Sequence, residues 1–385
     1  MSNRVLVIGE YGSLNGGENS FLTIAPALIN SGWEFHAAVP ADSDFASALK
    51  TVGIETHDLE MQTVGGQRKS QQDIRAEIAS IANSLQPDLI HCNSLSISRL
   101  CGPVAKALGI PGLGYLRDIL KLSKKAIADI NALDRLIAVS NATRDWHCEQ
   151  GIDPKKTFVV FNGVDSDLFS PLATALPTKF ANDALDPIKA ELDIATDSPI
   201  LLFVGQIGIR KGVDTLVDAF SAIADAIADV HLLIVGQRHS QKQEAIEYER
   251  RLKEQSEASP HRRRIHWLGV RNDVPNLMRA ATLLIHPARQ EPLGRVLLEA
   301  AATGLPTVTT RVGGSPEILS GHQLERLLVE PGDSIALATK AVELLNQTDQ
   351  QKQIGARLRA VAIQNFSVSK CAQTLDQHYS WLVRK

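Results

Sequence analysis

The densest set of residues able to do chemistry lies late in the chain, in Glu291-Pro292-Leu293-Gly294-Arg295-Val296-Leu297-Leu298-Glu299-Ala300. Pro292 suits the first turn of a helix, where its missing N–H costs nothing. The amides of Leu293, Gly294 and Arg295 would then point at whatever lies ahead of that helix. A helix N-terminus favours anions through its partial positive charge and its unpaired donors. Gly294 lets a ligand come close to the backbone. Glu299 falls one to two turns on, where a carboxylate can accept bonds from ribose hydroxyls. Compensation of the helix dipole is an equally ordinary reason for a Glu near a helix start.

A second set is Phe203-Val204-Gly205-Gln206-Ile207-Gly208-Ile209-Arg210-Lys211-Gly212. Three glycines make the loop pliable, and Arg210 and Lys211 can neutralise charge building on a departing diphosphate. The plain alternative is a solvated basic pair. A third set, Gly12-Ser13-Leu14-Asn15-Gly16-Gly17-Glu18-Asn19, puts Gly16 and Gly17 before a helix, as a backbone-donor loop able to touch phosphate or as a simple turn. It is not a GxGxxG fingerprint, which argues against ordinary dinucleotide binding. His286, at a strand end beside Pro287, reads as a packing or polar loop residue. His91 and Cys92 are too sparse for a metal site, whereas Asn93 after them can face a ligand. Lys121-Leu122-Ser123-Lys124-Lys125 reads as a solvated helix face, with weak peripheral contact to an anionic membrane as the alternative. His261-Arg262-Arg263-Arg264 reads as a surface turn.

The elements that must position these residues alternate between short β-branched runs and longer helical patterns. In the first half, strands are expected at 5–8, 34–39, 89–91, 112–115, 136–139 and 157–161, with helices such as 19–31 and 70–84 between them. This alternation favours a parallel sheet with helices on both faces. Residues 170–198 carry Pro171, Pro177 and Pro187 and read as a linker with one short helix. A second series follows, with strands at 200–204, 231–235, 265–268, 283–286 and 307–309. Its helices are expected at 213–228, 241–257, 274–281, 294–303, 334–347 and 350–365, ahead of a final segment, 368–383. The fold class is therefore α/β: two Rossmann-like, doubly wound domains facing across a cleft. The expected domains are 1–170, joined by 368–385, and 171–367. In open parallel sheets ligands bind beyond the carboxyl ends of the strands.

Composition narrows the classes. The chain has 385 residues, 44% apolar and 22% charged, with a net charge of −3. That is a globular composition without the strong field that would draw nucleic acid. Its four cysteines include no CxxC pair, against a disulfide framework or a zinc site and in favour of a reducing compartment. Val5-Leu6-Val7-Ile8 suits a strand better than the longer apolar region of an export signal. No apolar run approaches the roughly 20 residues needed to span a bilayer. A cytoplasmic location is expected.

Taken in order, the three sets resemble the GT-B-fold retaining glycosyltransferases of the large family four, the glycosyl transferases group 1. The resemblance covers most of the chain. Its anchors are Gly16-Gly17-Glu18, Ala138-Val139-Ser140 and Phe161-Asn162-Gly163-Val164-Asp165 with Phe169 and Pro171. Further on come Gly205 through Gly212, Leu268-Gly269, and Glu291 through Gly304 with Pro306, Gly313-Gly314 and Glu317. The resemblance implies a sugar moved from a nucleotide diphosphate sugar, a UDP- or GDP-sugar, to a hydroxyl acceptor such as a glycan, lipid-linked sugar or small molecule, with retained configuration. It implies that Glu291 lies near the transferred sugar, that Glu299 holds the ribose, and that Lys211 meets the diphosphate. Leu293, Gly294 and Arg295 would cradle phosphate and sugar, and Val270 and Arg271 fall where the chain meets the base. The departing diphosphate would be stabilised by Lys211, Arg210 and the amides around Gly294 and Gly17, so no metal and no other cofactor is expected.

Two positions depart from the family. Gln206 stands where an arginine often helps hold phosphate. Arg117-Asp118 stand where many members have a histidine, often followed by Asp, and an arginine cannot act as a base at neutral pH. Arg117 can instead bind a hydroxyl, carboxylate or phosphate of sugar or acceptor. The alternatives are a nucleotide-sugar epimerase, a non-catalytic nucleotide-sugar-binding subunit and, most distantly, a dehydrogenase.

Overall fold

Runs such as Val5–Ile8 and Ile200–Phe203 are wholly buried, as parallel strands covered on both faces must be. A computed structural model describes residues 3–63, 65–171, 186–321 and 323–384. The chain divides into two units, Met1–Gly163 with Val368–Lys385, and Val164–Ser367.

The first unit has seven strands: β1 (Asn3–Ile8), β2 (Trp33–Val39), β3 (Glu55–Asp58), β4 (Leu89–Cys92), β5 (Gly112–Leu116), β6 (Arg135–Ala138) and β7 (Thr157–Val159). They lie in the order β3-β2-β1-β4-β5-β6-β7, and each adjacent pair is parallel. One face of the sheet packs Leu6, Ile8 and Ile90 on Ile74 and Ile78 of helix Gln71–Leu85 and Leu100 of helix Leu95–Leu108. Aromatic residues mark the other face. Phe21 of helix Gly16–Asn30 meets Phe35 edge-on at 5.7 Å, and Tyr379 of the terminal helix Val368–Val383 meets Trp33 at 5.1 Å. Trp33 also donates its indole N–H to Asp376 at 2.6 Å. Tyr379 is fully buried, whereas Trp381 is 45% exposed and stacks under the Arg135 guanidinium.

The second unit has β8 (Ile200–Val204), β9 (His231–Val235), β10 (Ile265–Gly269), β11 (Leu283–His286), β12 (Thr307–Thr310) and β13 (Leu328–Val329), in the order β10-β9-β8-β11-β12-β13. All of these pairs are parallel too. The division between units falls before the expected 170/171. The Val164 N–H pairs with the Phe366 carbonyl at 2.7 Å. Arg279 donates to the carbonyls of Leu168 and Ser170, and Arg359 to that of Phe169. These bonds bind the stretch after Gly163 to the second unit. Of the expected linker, 172–185 lie outside the described residues, and a short helix, Asp186–Glu191, follows.

In each sheet the strand order reverses between two central strands, β1 with β4 and β8 with β11. Loops leaving the carboxyl ends of such a pair diverge to opposite faces and open a crevice. The loops that carry the chemistry leave these strands.

Candidate active site

In the second unit the loop after β8 winds into a 3₁₀ turn, Ile209–Lys211, and closes on Gly212. Gly212 has φ +66°, and a Cβ there would stand 2.0 Å from the Pro287 carbonyl oxygen. Only glycine fits both the backbone angle and the approach. The Arg289 N–H donates to the Arg210 carbonyl at 2.8 Å, so the loops after β8 and β11 are joined by backbone. Arg289 reinforces the join with two 2.7 Å bonds to Asp214 at the start of helix Val213–Ala226. The effect is to fix Lys211 against Glu291.

Lys211 Nζ lies 2.5 Å from Glu291 Oε2, and His286 Nε2 lies 2.8 Å from the same oxygen. Glu291 is 5% exposed and His286 1%. Burial alone would raise the Glu291 carboxyl pKa. The Lys211 ammonium and the His286 hydrogen bond outweigh it, with Arg210 adding to them, and hold the group well below the usual carboxylate range. Burial lowers the His286 pKa, and the Lys211 and Arg210 charges lower it further against the pull of Glu291. His286 is thus neutral, with Nε2–H as donor, and its buried Nδ1 meets no partner among the described residues. An ammonium has three donors, and Glu291 occupies one of those on Lys211. Arg210 is exposed, and among the described residues its guanidinium meets the Gln290 carbonyl, at 3.3 Å.

The helix expected over 294–303 runs from Arg295 to Thr303, and Pro292, read as part of its first turn, lies before it. Gly294 has φ +100° and stops the helix from extending back, which leaves Pro292 in the loop. The backbone N–H groups of Leu293, Gly294 and Val296 meet no acceptor among the described residues. Arg295 reaches Glu299 at 2.8 Å, one turn along the same helix. Glu299 is therefore half of an ion pair, with its side chain 13% exposed. Arg271 turns its guanidinium to two carboxylates. That group is shared between Glu191, at 2.5 and 3.0 Å, and Asp273, at 2.8 Å twice. Val270 beside it is 60% exposed. Gln206 sits half-buried in the loop after β8.

In the first unit Gly16 and Gly17 do not precede a helix; they are its first two residues. Asn15 is the N-cap, and Glu18 reaches back to accept the Asn15 N–H at 3.2 Å, a closure that draws both glycines into the first turn. Burial raises the Glu18 pKa, against its backbone bonds and the Arg117 charge. Arg117, after β5, is clamped. Its Nε donates to the Asn93 carbonyl at 2.9 Å, Nη2 to Asn93 Oδ1 at 3.0 Å and Nη1 to Asn162 Oδ1 at 3.0 Å. Its guanidinium carbon stands 3.9 Å from the centroid of the Tyr115 ring. Asn93 is 1% exposed, and its Nδ2 meets no acceptor among the described residues. Asp118 is exposed, and its carbonyl accepts from His147 Nε2 at 2.7 Å. The structure thus brings together Glu291, Lys211 and the amides of Leu293 and Gly294 in one unit, and Asn93, Arg117 and Gly17 in the other.

Sequence reasoning missed His286 and Asn162. Asn162 lay inside a motif already singled out, so its signal was there. His286 had none beyond its place at a strand end, since its facing Glu291 depends on how the intervening loop folds back. The basic run is also corrected: its helix begins at Lys124 behind the N-cap Ser123, so Lys121 precedes it. The tract after His261 is a 3₁₀ turn, as its composition suggests.

The description "Glycosyl transferases group 1" matches residues 186–361 and "Glycosyltransferase Family 4" matches 14–168. The alpha-maltose-1-phosphate synthase of Mycolicibacterium smegmatis is 31% identical over 260 residues, 64% of this chain and 63% of that protein. The lipopolysaccharide glucosyltransferase WaaG of Escherichia coli is 38% identical over 133 residues, 34% of this chain and 33% of its own. The matched stretches thus span less than two thirds of either relative. A crystal structure of Anabaena HepE in complex with UDP and glucose superposes with a TM-score of 0.83 at 24% identity, covering 98% of this chain and 99% of that one. At that identity the likeness is one of fold.

Proposed function

The chain belongs to the glycosyl transferases of group 1 and has their GT-B fold, and we propose that it transfers a sugar from a nucleoside-diphosphate sugar to a hydroxyl acceptor with retained anomeric configuration. The observation that carries the proposal is the buried Glu291–Lys211 contact at the strand-order reversal of the second unit, ahead of the amides of Leu293 and Gly294, which meet no acceptor among the described residues. Such donors act on charge that develops during a reaction, because they are in place before it starts.

In the proposed reaction the bond from the anomeric carbon to the diphosphate oxygen breaks and a bond to the acceptor oxygen forms on the same face. The acceptor's proton passes to the departing phosphate. Lys211, with two donors left, and Arg210 neutralise the diphosphate, and Glu291 orients the sugar and steadies positive charge at its anomeric carbon. Glu299 takes the ribose. Arg117 and Asn93 recognise the acceptor or the sugar, and Arg117 does so as a donor rather than as a base. The four free cysteines fit a reducing compartment. No helix among the described residues is long and apolar enough to cross a membrane.

The test is a screen of UDP-, GDP- and ADP-sugars by thermal shift, starting with UDP-glucose, followed by mass spectrometry of products with and without EDTA. A donor that raises the melting temperature and a chelator-resistant glycosylated product are expected. An isomerised sugar formed without acceptor would make the chain an epimerase, binding without turnover a non-catalytic subunit. Loss of activity restored by magnesium or manganese would contradict the part given to Lys211 and Arg210.

A further inference from the structure

Strands β2 and β3 lie at one edge of the first unit's sheet. Their register sets His36 opposite Glu55 and Ala38 opposite His57. A strand repeats its faces every second residue, so Glu34 and His36 share a face, as do Glu55 and His57. His36 Nδ1 lies 3.2 Å from His57 Nε2 and 3.6 Å from Glu55 Oε2. One ligand atom from each of the three residues falls within 4.8 Å of the others. Two nitrogens bound tetrahedrally at roughly 2.0–2.1 Å from a zinc ion stand about 3.3 Å apart. The two rings already have nearly that separation.

The surroundings of His36 point the same way. Its other nitrogen, Nε2, lies 3.2 Å from Glu34 Oε1, and the Glu34 carboxylate is itself met by Arg4 Nε at 3.1 Å. A carboxylate on the far side of an imidazole fixes the tautomer and the ring plane of a metal-bound histidine. An N–H···N bond between two neutral imidazoles accounts for the 3.2 Å contact alone. It gives no reason for one carboxylate in front of the pair and another behind.

We propose that His36, Glu55 and His57 bind one divalent transition-metal cation of the zinc type, with Glu34 as the outer partner of His36 and water in the fourth position. Two imidazoles and a carboxylate suit Zn²⁺, which tolerates an open tetrahedral position. The cation would clip β3, an edge strand of four residues, to its neighbour. Exposed edges otherwise invite pairing with other chains. The site stands apart from the proposed transfer reaction and does not rest on it.

The experiment is calorimetric titration of Zn²⁺ into the full chain after chelator treatment, with Co²⁺ absorption as a spectroscopic probe of geometry. One equivalent bound at micromolar or tighter Kd, a higher melting temperature and the visible bands of tetrahedral Co²⁺ are expected. His36→Gln with His57→Gln should abolish all three, and Glu34→Gln should weaken binding by roughly tenfold to hundredfold. If the double variant does not fold, His57→Gln alone decides, since that ring is only partly buried at the edge. No saturable binding by the parent chain would overturn the proposal. So would equal affinity in the histidine variants, or a Co²⁺ spectrum without tetrahedral bands.

Discussion

Glu291 carries its charge almost out of reach of water, and the Lys211 ammonium is what makes that tolerable. Side-chain exposures of 13% for Lys211 and 7% for Glu291 make this a buried pair. Removing one partner of such a pair leaves an uncompensated charge and costs about 3–5 kcal/mol. Lys211→Met should therefore lower stability by that order and move the Glu291 pKa up. Adding Glu291→Gln should recover most of the loss, because His286 Nε2–H can still donate to the amide oxygen, while sugar transfer stays absent. Chemical denaturation of both variants checks this, and a Lys211→Met protein as stable as its parent would sink it. Glu299 belongs to the same scale. It already accepts from Arg295, so a bound ribose would add to an ordered carboxylate. Glu299→Ala should weaken binding of the free nucleoside diphosphate by about 1.5–3 kcal/mol. Calorimetry giving an unchanged affinity would remove Glu299 from the site.

The terminal helix Val368–Val383 shows what a single element contributes. Its Tyr379 hydroxyl meets Nδ1 of His91, whose Nε2 is buried without a partner among the described residues. Tyr379→Phe keeps the ring against Trp33 and Phe35 and removes only that hydroxyl. It should cost about 1–3 kcal/mol, the price of stranding a buried polar group; equilibrium denaturation with no change would show that the hydroxyl does not hold His91. This helix was legible because 368–383 is bounded and carries large aromatic residues. So were β1, β8 and β9, whose apolar runs have no reading but a covered strand. Strand β3 was not, since Glu55-Thr56-His57-Asp58 has neither an apolar run nor a hydrophobic alternation; β2 recruits it. Strand β13, two residues long, carries no periodicity at all. At the site, Glu291 and Lys211 were legible from the motifs around them. The exclusion of Pro292 from the Arg295 helix was not, because proline there fits a first turn locally while the left-handed Gly294 prevents one. Nor could sequence show that Glu191 already engages Arg271, a contact made by residues eighty apart in the chain.

In both units, burial or partial burial lowers the pKa of several histidines. In the first unit, burial lowers the His91 pKa to about 3, with Arg117 adding to it, and burial with the Arg135 charge lowers His378 to about 4. In the second, burial, His266 and Arg264 lower His231 to about 4, and His286 is lowered too. In an unfolded chain these rings take up protons near pH 6.5. Between that value and their folded pKa values the unfolded state binds more protons, so stability rises with pH there. Each contribution is fully present above about pH 6.5 and is lost as pH falls toward 4 and then 3. The Glu291 carboxylate, held below its usual range, has the same sign, but its loss begins only below about pH 4.3, where an unfolded Glu protonates. The two classes of group therefore separate on the pH axis. Calorimetric melts should show a melting temperature that is level from pH 8 to 7 and falls from about pH 6, well before carboxylates titrate. Because each unit holds such histidines, any transitions resolved separately should both move. A melting temperature that stays level down to pH 5 would mean that the buried rings are charged in the folded chain.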